Sequence, residues 1–160
     1  MQRAAPAWCW PPAARAQRTL SPASPPPILD VNVGLPGIDE REMMIDTIKS
    51  LQAVVDVPLQ IDSTIPEVLE AALRVYNGKP LVNSVNGEEE SLNNVLPLVK
   101  KYGAGVIGLA LDKDGIPKKA EDRVAIAKKI MDRAVAMGID RKSTRLNSSH
   151  TDISRMPSSA

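Results

Sequence analysis

The 160-residue chain has one Cys, one His, two Trp, two Tyr and no Phe. Each scarcity excludes something. A single Cys cannot form an intramolecular disulfide, and with one His there is no Cys/His cluster at zinc-site spacing. Few aromatics means few stacking platforms for nucleic-acid bases. No apolar run reaches the eighteen or so residues of a membrane-spanning helix. At 160 residues the chain is also too short for a whole (β/α)₈ barrel, which typically needs about 250.

What is present is unevenly placed. The overall charge is only +1, yet residues 28–140 hold 13 basic and 18 acidic groups, a net charge of −5. An acidic body is a poor partner for phosphate backbones, so neither nucleic acid nor membrane is expected as a partner. Both Trp, the Cys and seven of the 14 Pro precede Ile28, while every Gly lies between Gly34 and Gly138. Three segments result: a head over 1–27, a body over 28–139 and a tail over 140–160.

The head has no apolar periodicity and ends in Pro25-Pro26-Pro27, a composition that predicts disorder or a non-native extension. A secretory signal is excluded by the Arg and Gln that interrupt its apolar stretch. A mitochondrial presequence would suit its arginines, but its seven prolines oppose the amphipathic helix needed, so the expected compartment is the cytoplasm. The tail, rich in Ser, Thr and Arg, is also expected to be disordered. Residues 140–150 back-translate to a DNA string that looks like a sequencing-library adapter, and 154–160 resemble its continuation. The sequon at Asn147 and the lone His150 then carry no functional meaning.

The body alternates two patterns. Apolar runs at 28–33, 59–61, 80–85 and 105–111, flanked by Gly, Pro or Asn, read as strands buried on both faces. Between them lie helical stripes. One, over 38–53, carries Met44, Ile48 and Leu51; a second opens at Pro66 and carries Val68, Leu69, Ala72 and Val75. A third carries Leu92, Val95, Leu96 and Val99, and a fourth Val124, Ala127, Ile130, Met131 and Val135. Four βα units in succession predict an α/β fold with a parallel sheet.

In such folds the chemistry lies where strands end and helices begin. Asp30 and Asn32 fall on one side of the first strand by alternation, with Val31 and Val33 on the other. Embedded in a β-branched run, each must find hydrogen bonds or cost about 1–3 kcal/mol. Asn83, directly after Leu81-Val82, is placed likewise. Asp62-Ser63-Thr64 and Asn86-Gly87 could equally be a helix cap and a turn, and Glu88-Glu89-Glu90 a favourable acidic first turn. Carboxylates and amides converging on one rim suit a flat heterocycle with mixed donors and acceptors, such as a pterin, better than a phosphate. Two other patterns are decoys. Gly103-Ala104-Gly105-Val106-Ile107-Gly108 follows a helix and enters a strand, the reverse of a dinucleotide site. Asp112-Lys113-Asp114-Gly115 resembles part of a calcium loop but is preceded by a strand, so a βα loop is expected and no metal site is assigned.

Four motifs taken together, Leu29-Asp30-Val31-Asn32-Val33-Gly34, Leu59-Gln60-Ile61-Asp62-Ser63-Thr64, Leu81-Val82-Asn83-Ser84-Val85-Asn86-Gly87-Glu88 and the segment 108–117, carry a resemblance. In this order and spacing, 28–139 resembles the pterin-binding domain of methyltetrahydrofolate-dependent methyltransferases, in particular the cobalamin-dependent methionine synthase type. The resemblance implies a (β/α)₈ barrel, of which these strands would be the second to fifth. It implies that Asp62 and Asn83 hydrogen-bond the pterin ring, with Asp30 and Asn32 lining the same pocket, and leaves the catalytic residue unassigned. It further implies transfer of the N5 methyl group of 5-methyltetrahydrofolate to cob(I)alamin carried by another domain or by a corrinoid protein, as in methionine synthesis from homocysteine. Dihydropteroate synthase is a related barrel, but its Gly-Gly-Glu-Ser-Thr type motif is absent. The family's first-strand motif and the residues of its sixth and seventh strands are also missing, so the chain as written is expected to be a truncated and inactive fragment. A non-catalytic pterin-binding half-barrel is the alternative.

Overall fold

A computed structural model describes residues 28–147. Its elements alternate without exception: β1 (Leu29–Asn32), α1 (Glu40–Val54), β2 (Leu59–Asp62), α2 (Pro66–Val75), β3 (Leu81–Val85), α3 (Glu89–Tyr102), β4 (Gly105–Leu109), α4 (Ala120–Ala136), then a 3₁₀ turn (Arg141–Ser143) and β5 (Thr144–Asn147). The strands form one parallel sheet in the order β1-β2-β3-β4-β5. Each crossover advances by one strand in the same direction, so helices joined by connections of one hand line one face of the sheet. This is an arc of a (β/α)₈ barrel, helices outside and a lumen face inside.

The helices begin and end for local reasons. Asp39 caps α1 by accepting from the Glu42 N–H at 3.0 Å. Pro66 occupies the first turn of α2, where the missing N–H costs nothing. Gly103 ends α3 in the left-handed conformation at φ 64°, and Gly105 begins β4, so the glycine-rich string is an αβ turn. The Asp112–Gly115 stretch closes on itself through paired backbone bonds, and Asp112 accepts from the Asp114 N–H, as expected of a βα loop.

The core lies between the sheet and the helices. Leu59, Ile61, Val82 and Val106 from the strands meet Met44, Ile48, Leu69, Leu92 and Leu96 from the helices, all fully or almost fully buried. The stripes anticipated for α1, α2 and α3 face inward. That of α4 differs: Ile130 and Ala134 are buried, but Val124 is 66% and Val135 45% exposed. Among the described residues α4 is flanked by one helix, α3, and with one such neighbour it buries a narrower stripe.

Two further expectations are corrected. The strands are buried on one face, not both; in β2 the pattern alternates between buried Leu59 and Ile61 and half-buried Gln60 and Asp62. Alternation rather than a continuous apolar run is what a sheet covered by helices on one side requires. There are also five strands where four were expected. Residues 141–147, read as part of a disordered tail, form the 3₁₀ turn and β5, which pairs with β4 from Val106↔Thr144 to Leu109↔Asn147. Leu146 lies over Gly108, where a β-carbon would come within 2.9 Å of its Cδ2. The Thr144 hydroxyl on the same strand is buried without a hydrogen-bond partner among the described residues. The head over 1–27, and the sequon serine and His150 in the tail, lie outside the described residues.

Candidate pterin-binding cleft

Strand register brings the anticipated polar residues together. Asn32 stands opposite Asp62, and Asp62 opposite Asn83, so three polar side chains occupy adjacent positions across β1, β2 and β3. Neighbouring strands are about 4.8 Å apart, so the three side chains form one short row. One step back, Asp30 stands opposite Gln60. All five project to the lumen face, because Val31, Ile61 and Val82 between them are buried against the helices.

These side chains hold one another in place. The Asn32 amide Nδ2 donates to Asp62 Oδ2 at 3.1 Å, while Asn32 Oδ1 accepts from the Gly34 N–H at 3.0 Å. Gln60 Nε2 donates to Asp30 Oδ1 at 2.6 Å. Asp62 is thus oriented by a neighbouring amide and does not cap α2: the cap position is Ile65, and it is the Ser63 hydroxyl that accepts from the Ile65 N–H while donating to Glu40 at 2.7 Å. The half-buried Asn83 amide makes no side-chain hydrogen bond among the described residues, leaving a donor and an acceptor side by side.

A cleft of about 660 Å³ opens in front of this row, lined by Asp30, Asp62 and Asn83 along its floor. Asn32 lies outside the lining and stands beside it, bonded to Asp62. The side wall comes from Asn86, Glu88 and Glu90, to which sequence reasoning assigned only local roles, and from Ser91 and Asn94. The local roles are real. Asn86 Oδ1 accepts from the Glu88 N–H at 3.0 Å, its Nδ2 donates to Glu88 Oε1 at 2.9 Å, and Ser91 Oγ accepts from the Asn86 N–H at 3.1 Å. That turn, however, brings the start of α3 up to the strand ends, and its side chains become wall. Ser91 and Asn94, on the same side of α3 as buried Val95, carried no separate signal in the sequence.

The wall is pinned from behind. Gly87 donates its N–H to Leu111 O at 2.9 Å and is so close to α4 that a β-carbon would lie 2.7 Å from Ile126 Cγ2. Lys129 donates to Gly87 O at 2.7 Å and pairs with Glu89 at 2.9 Å, and this ammonium holds the Glu89 carboxyl below the usual carboxylate range. Among the described residues no group of three His, Cys, Asp or Glu is arranged to hold a metal ion, and no helix is long and apolar enough to cross a membrane.

Comparison with known proteins identifies the family and the fold. The family model described as pterin binding enzyme matches residues 28–150. Methionine synthase of Mycobacterium tuberculosis is 30% identical over 122 residues, covering 72% of this chain and 10% of that protein. Methylcorrinoid:tetrahydrofolate methyltransferase of Eubacterium limosum is 32% identical over 108 residues, covering 66% of this chain and 40% of the relative. The chain therefore spans less than half the length of these relatives. Among solved structures, 7,8-dihydropteroate synthase from Vibrio fischeri ES114 superposes with a TM-score of 0.58 at 18% identity, over 78% of this chain and 52% of that one. Dihydropteroate synthase from Yersinia pestis, solved with a pterine-sulfa conjugate, gives 0.58 at 19% identity, over 76% and 48%. With a parallel sheet that is part of a (β/α)₈ barrel and a family match covering most of its length, the chain belongs to the pterin-binding enzymes.

Proposed function

We propose that the cleft binds the pterin ring of 5-methyltetrahydrofolate and that the domain to which these strands belong passes the N5 methyl group to cob(I)alamin on another domain or a separate corrinoid protein. The observation that carries this reading is the row Asn32, Asp62, Asn83: a carboxylate oriented by one amide, beside a second amide with both its groups open to the cleft. Asp62 accepts from ring N–H and amino groups, and Asn83 supplies one donor and one acceptor to the ring edge. Asp30, held by Gln60, adds a second carboxylate to the floor.

Both residues bind and polarise; neither is a nucleophile. A tertiary amine is a poor leaving group, so as the N5–methyl bond breaks the electron pair stays on N5, which must take a proton or a strong hydrogen bond. Cobalamin, in its cobalt(I) form, would supply the nucleophile to which the methyl group passes. The protein's part is to fix the ring so that N5 faces the acceptor. Relatives named for methionine synthesis and corrinoid methyl transfer favour this reading over that of dihydropteroate synthase, whose likeness here is one of fold.

Calorimetric titration with tetrahydrofolate tests the binding half. Saturable binding is expected, weakened about ten- to a hundredfold in Asp62→Asn, the range for losing a hydrogen bond to a charged group. An Asp62→Asn protein that binds as tightly as the parent would overturn the assignment. Methyl transfer to cob(I)alamin, followed by its absorbance, is expected to be absent from this half-barrel; turnover comparable to a whole barrel domain would show that five strands suffice.

A further inference from the structure

Two polar side chains are buried among the described residues, Ser63 and Thr144, and of the two only Ser63 has hydrogen-bond partners. Ser63 directly follows Asp62 and is 5% exposed. Its Oγ donates to Glu40 Oε1 at 2.7 Å and accepts from the Ile65 N–H at 3.2 Å. Glu40 opens α1, whereas Ser63 lies between β2 and α2, so the first bond joins two neighbouring βα units. Neither helix needs that bond in order to begin: Asp39 caps α1, and α2 opens on Pro66. A hydrogen bond to a carboxylate is roughly twice as strong as one between neutral groups, and here the donor is out of water. What the bond fixes is the chain immediately after Asp62. Asp62 is thereby tied to the β1–α1 unit twice, at its carboxylate by the Asn32 amide at 3.1 Å and through its chain neighbour by Glu40.

We infer that Glu40, acting through the Ser63 hydroxyl, is a positioning residue that holds the Asp62 carboxylate where a pterin ring meets it. This rests on the pterin reading and adds to it two residues that are not among those lining the cleft. A recognition group has to be held within about 0.5 Å of its working position by groups that are themselves locked. Glu40, at the start of a helix, and Ser63, buried with both its bonds made, meet that condition. Without the bond the Ser63 hydroxyl keeps only its local partner, the Ile65 N–H, and the Asp62 carboxylate is in place for a smaller fraction of the time. Apparent affinity falls by that fraction, although every contact in the cleft is still available.

The test titrates the full chain with tetrahydrofolate by calorimetry. Glu40→Met keeps the length of the side chain and removes the acceptor, and is expected to weaken binding about three- to tenfold, the range of a typical hydrogen bond. α1 still begins in this variant, because its cap is Asp39. Glu40→Gln retains an acceptor oxygen and is expected to stay within about twofold of the parent. Ser63→Ala, which loses the same bond from the other side, is expected to match Glu40→Met. A urea transition recorded for each variant shows that folded protein is being titrated. The decisive background is Asp62→Ala, with no carboxylate left to position: there Glu40→Met is expected to have no further effect. Unchanged affinity in Glu40→Met, no recovery in Glu40→Gln, or a loss of the same size in the Asp62→Ala background overturns the inference and leaves the pterin reading standing. A parent chain that does not bind tetrahydrofolate overturns both.

Discussion

The two faces of the sheet are built from the same four to five residues per strand and do opposite work. On the outer face Leu59, Ile61, Val82 and Val106 are wholly buried beneath helices. On the lumen face Asp30, Asn32, Gln60, Asp62 and Asn83 remain half-buried or exposed. Along β2 the change of role takes one residue, from Ile61 to Asp62. Stability and recognition are therefore separated by the pleat of the strand, and a mutation on one face should leave the other face's property nearly intact.

The sharpest way to break this separation is Ile61→Ala. It removes a fully buried side chain between helices and sheet and is expected to cost about 2–5 kcal/mol, read from the shift in a urea unfolding midpoint. Asp62→Asn, next along the chain, is expected to move that midpoint by less than about 0.5 kcal/mol while carrying the binding loss described above. Equal destabilisation by the two would mean that the lumen face is part of the core. A smaller effect of opposite sign is expected at the sheet's edge: Thr144→Val removes a buried hydroxyl without a partner and should stabilise by about 1 kcal/mol. Unchanged or lower stability would show that β5 is not seated on β4 in solution.

The smallest effect belongs to neither face. Across the solvent side of α2 and α3, Lys101 and the Tyr102 hydroxyl both reach the Glu70 carboxylate, and the 2.7 Å bond to Lys101 is the main cause that lowers the Glu70 carboxyl below 4.5. Its contribution is fully present above that value and fades as pH falls through the lower folded one. Lys101 is raised above 10.5 by the same pairing, so its share is present below 10.5 and lost as pH climbs past the raised value. Lys101 is exposed and Glu70 only half-buried, so a parent-minus-Lys101→Met difference in unfolding midpoint should be small, confined between those limits and reduced by salt. A difference that persists at pH 3 would contradict the pairing.

Much of this was legible in the sequence because it is local. Pro66 announces the start of α2, the 3.6-residue stripes of α1 to α3 mark their inner faces, and alternation put Asp30 and Asn32 on one side of β1. The illegible parts depend on what stands alongside. Nothing in Val124 or Val135 says that α4 has one helical neighbour, and nothing in a Leu or Val says that the opposite face of its strand is open. Asn86 and Glu88 were readable as a turn and an acidic helix start, which they are; that the turn also forms the wall of a cleft follows only from where β3 ends. Thr144 to Asn147 carried no strand signal of their own, since their pairing is dictated by the free edge of β4.

One contact constrains the history open to this molecule. At Gly87 two successive rim loops touch, backbone to backbone through Leu111 and backbone to side chain through Ile126, with no space for a methyl group. Position 87 is therefore a bottleneck for sequence drift. The exposed residue at 90 can be exchanged alone to retune what the cleft accepts, whereas any change at 87 obliges α4 to change with it. New specificities on this scaffold would then arise by small steps along the wall and by paired steps, or none, at the hinge between its loops.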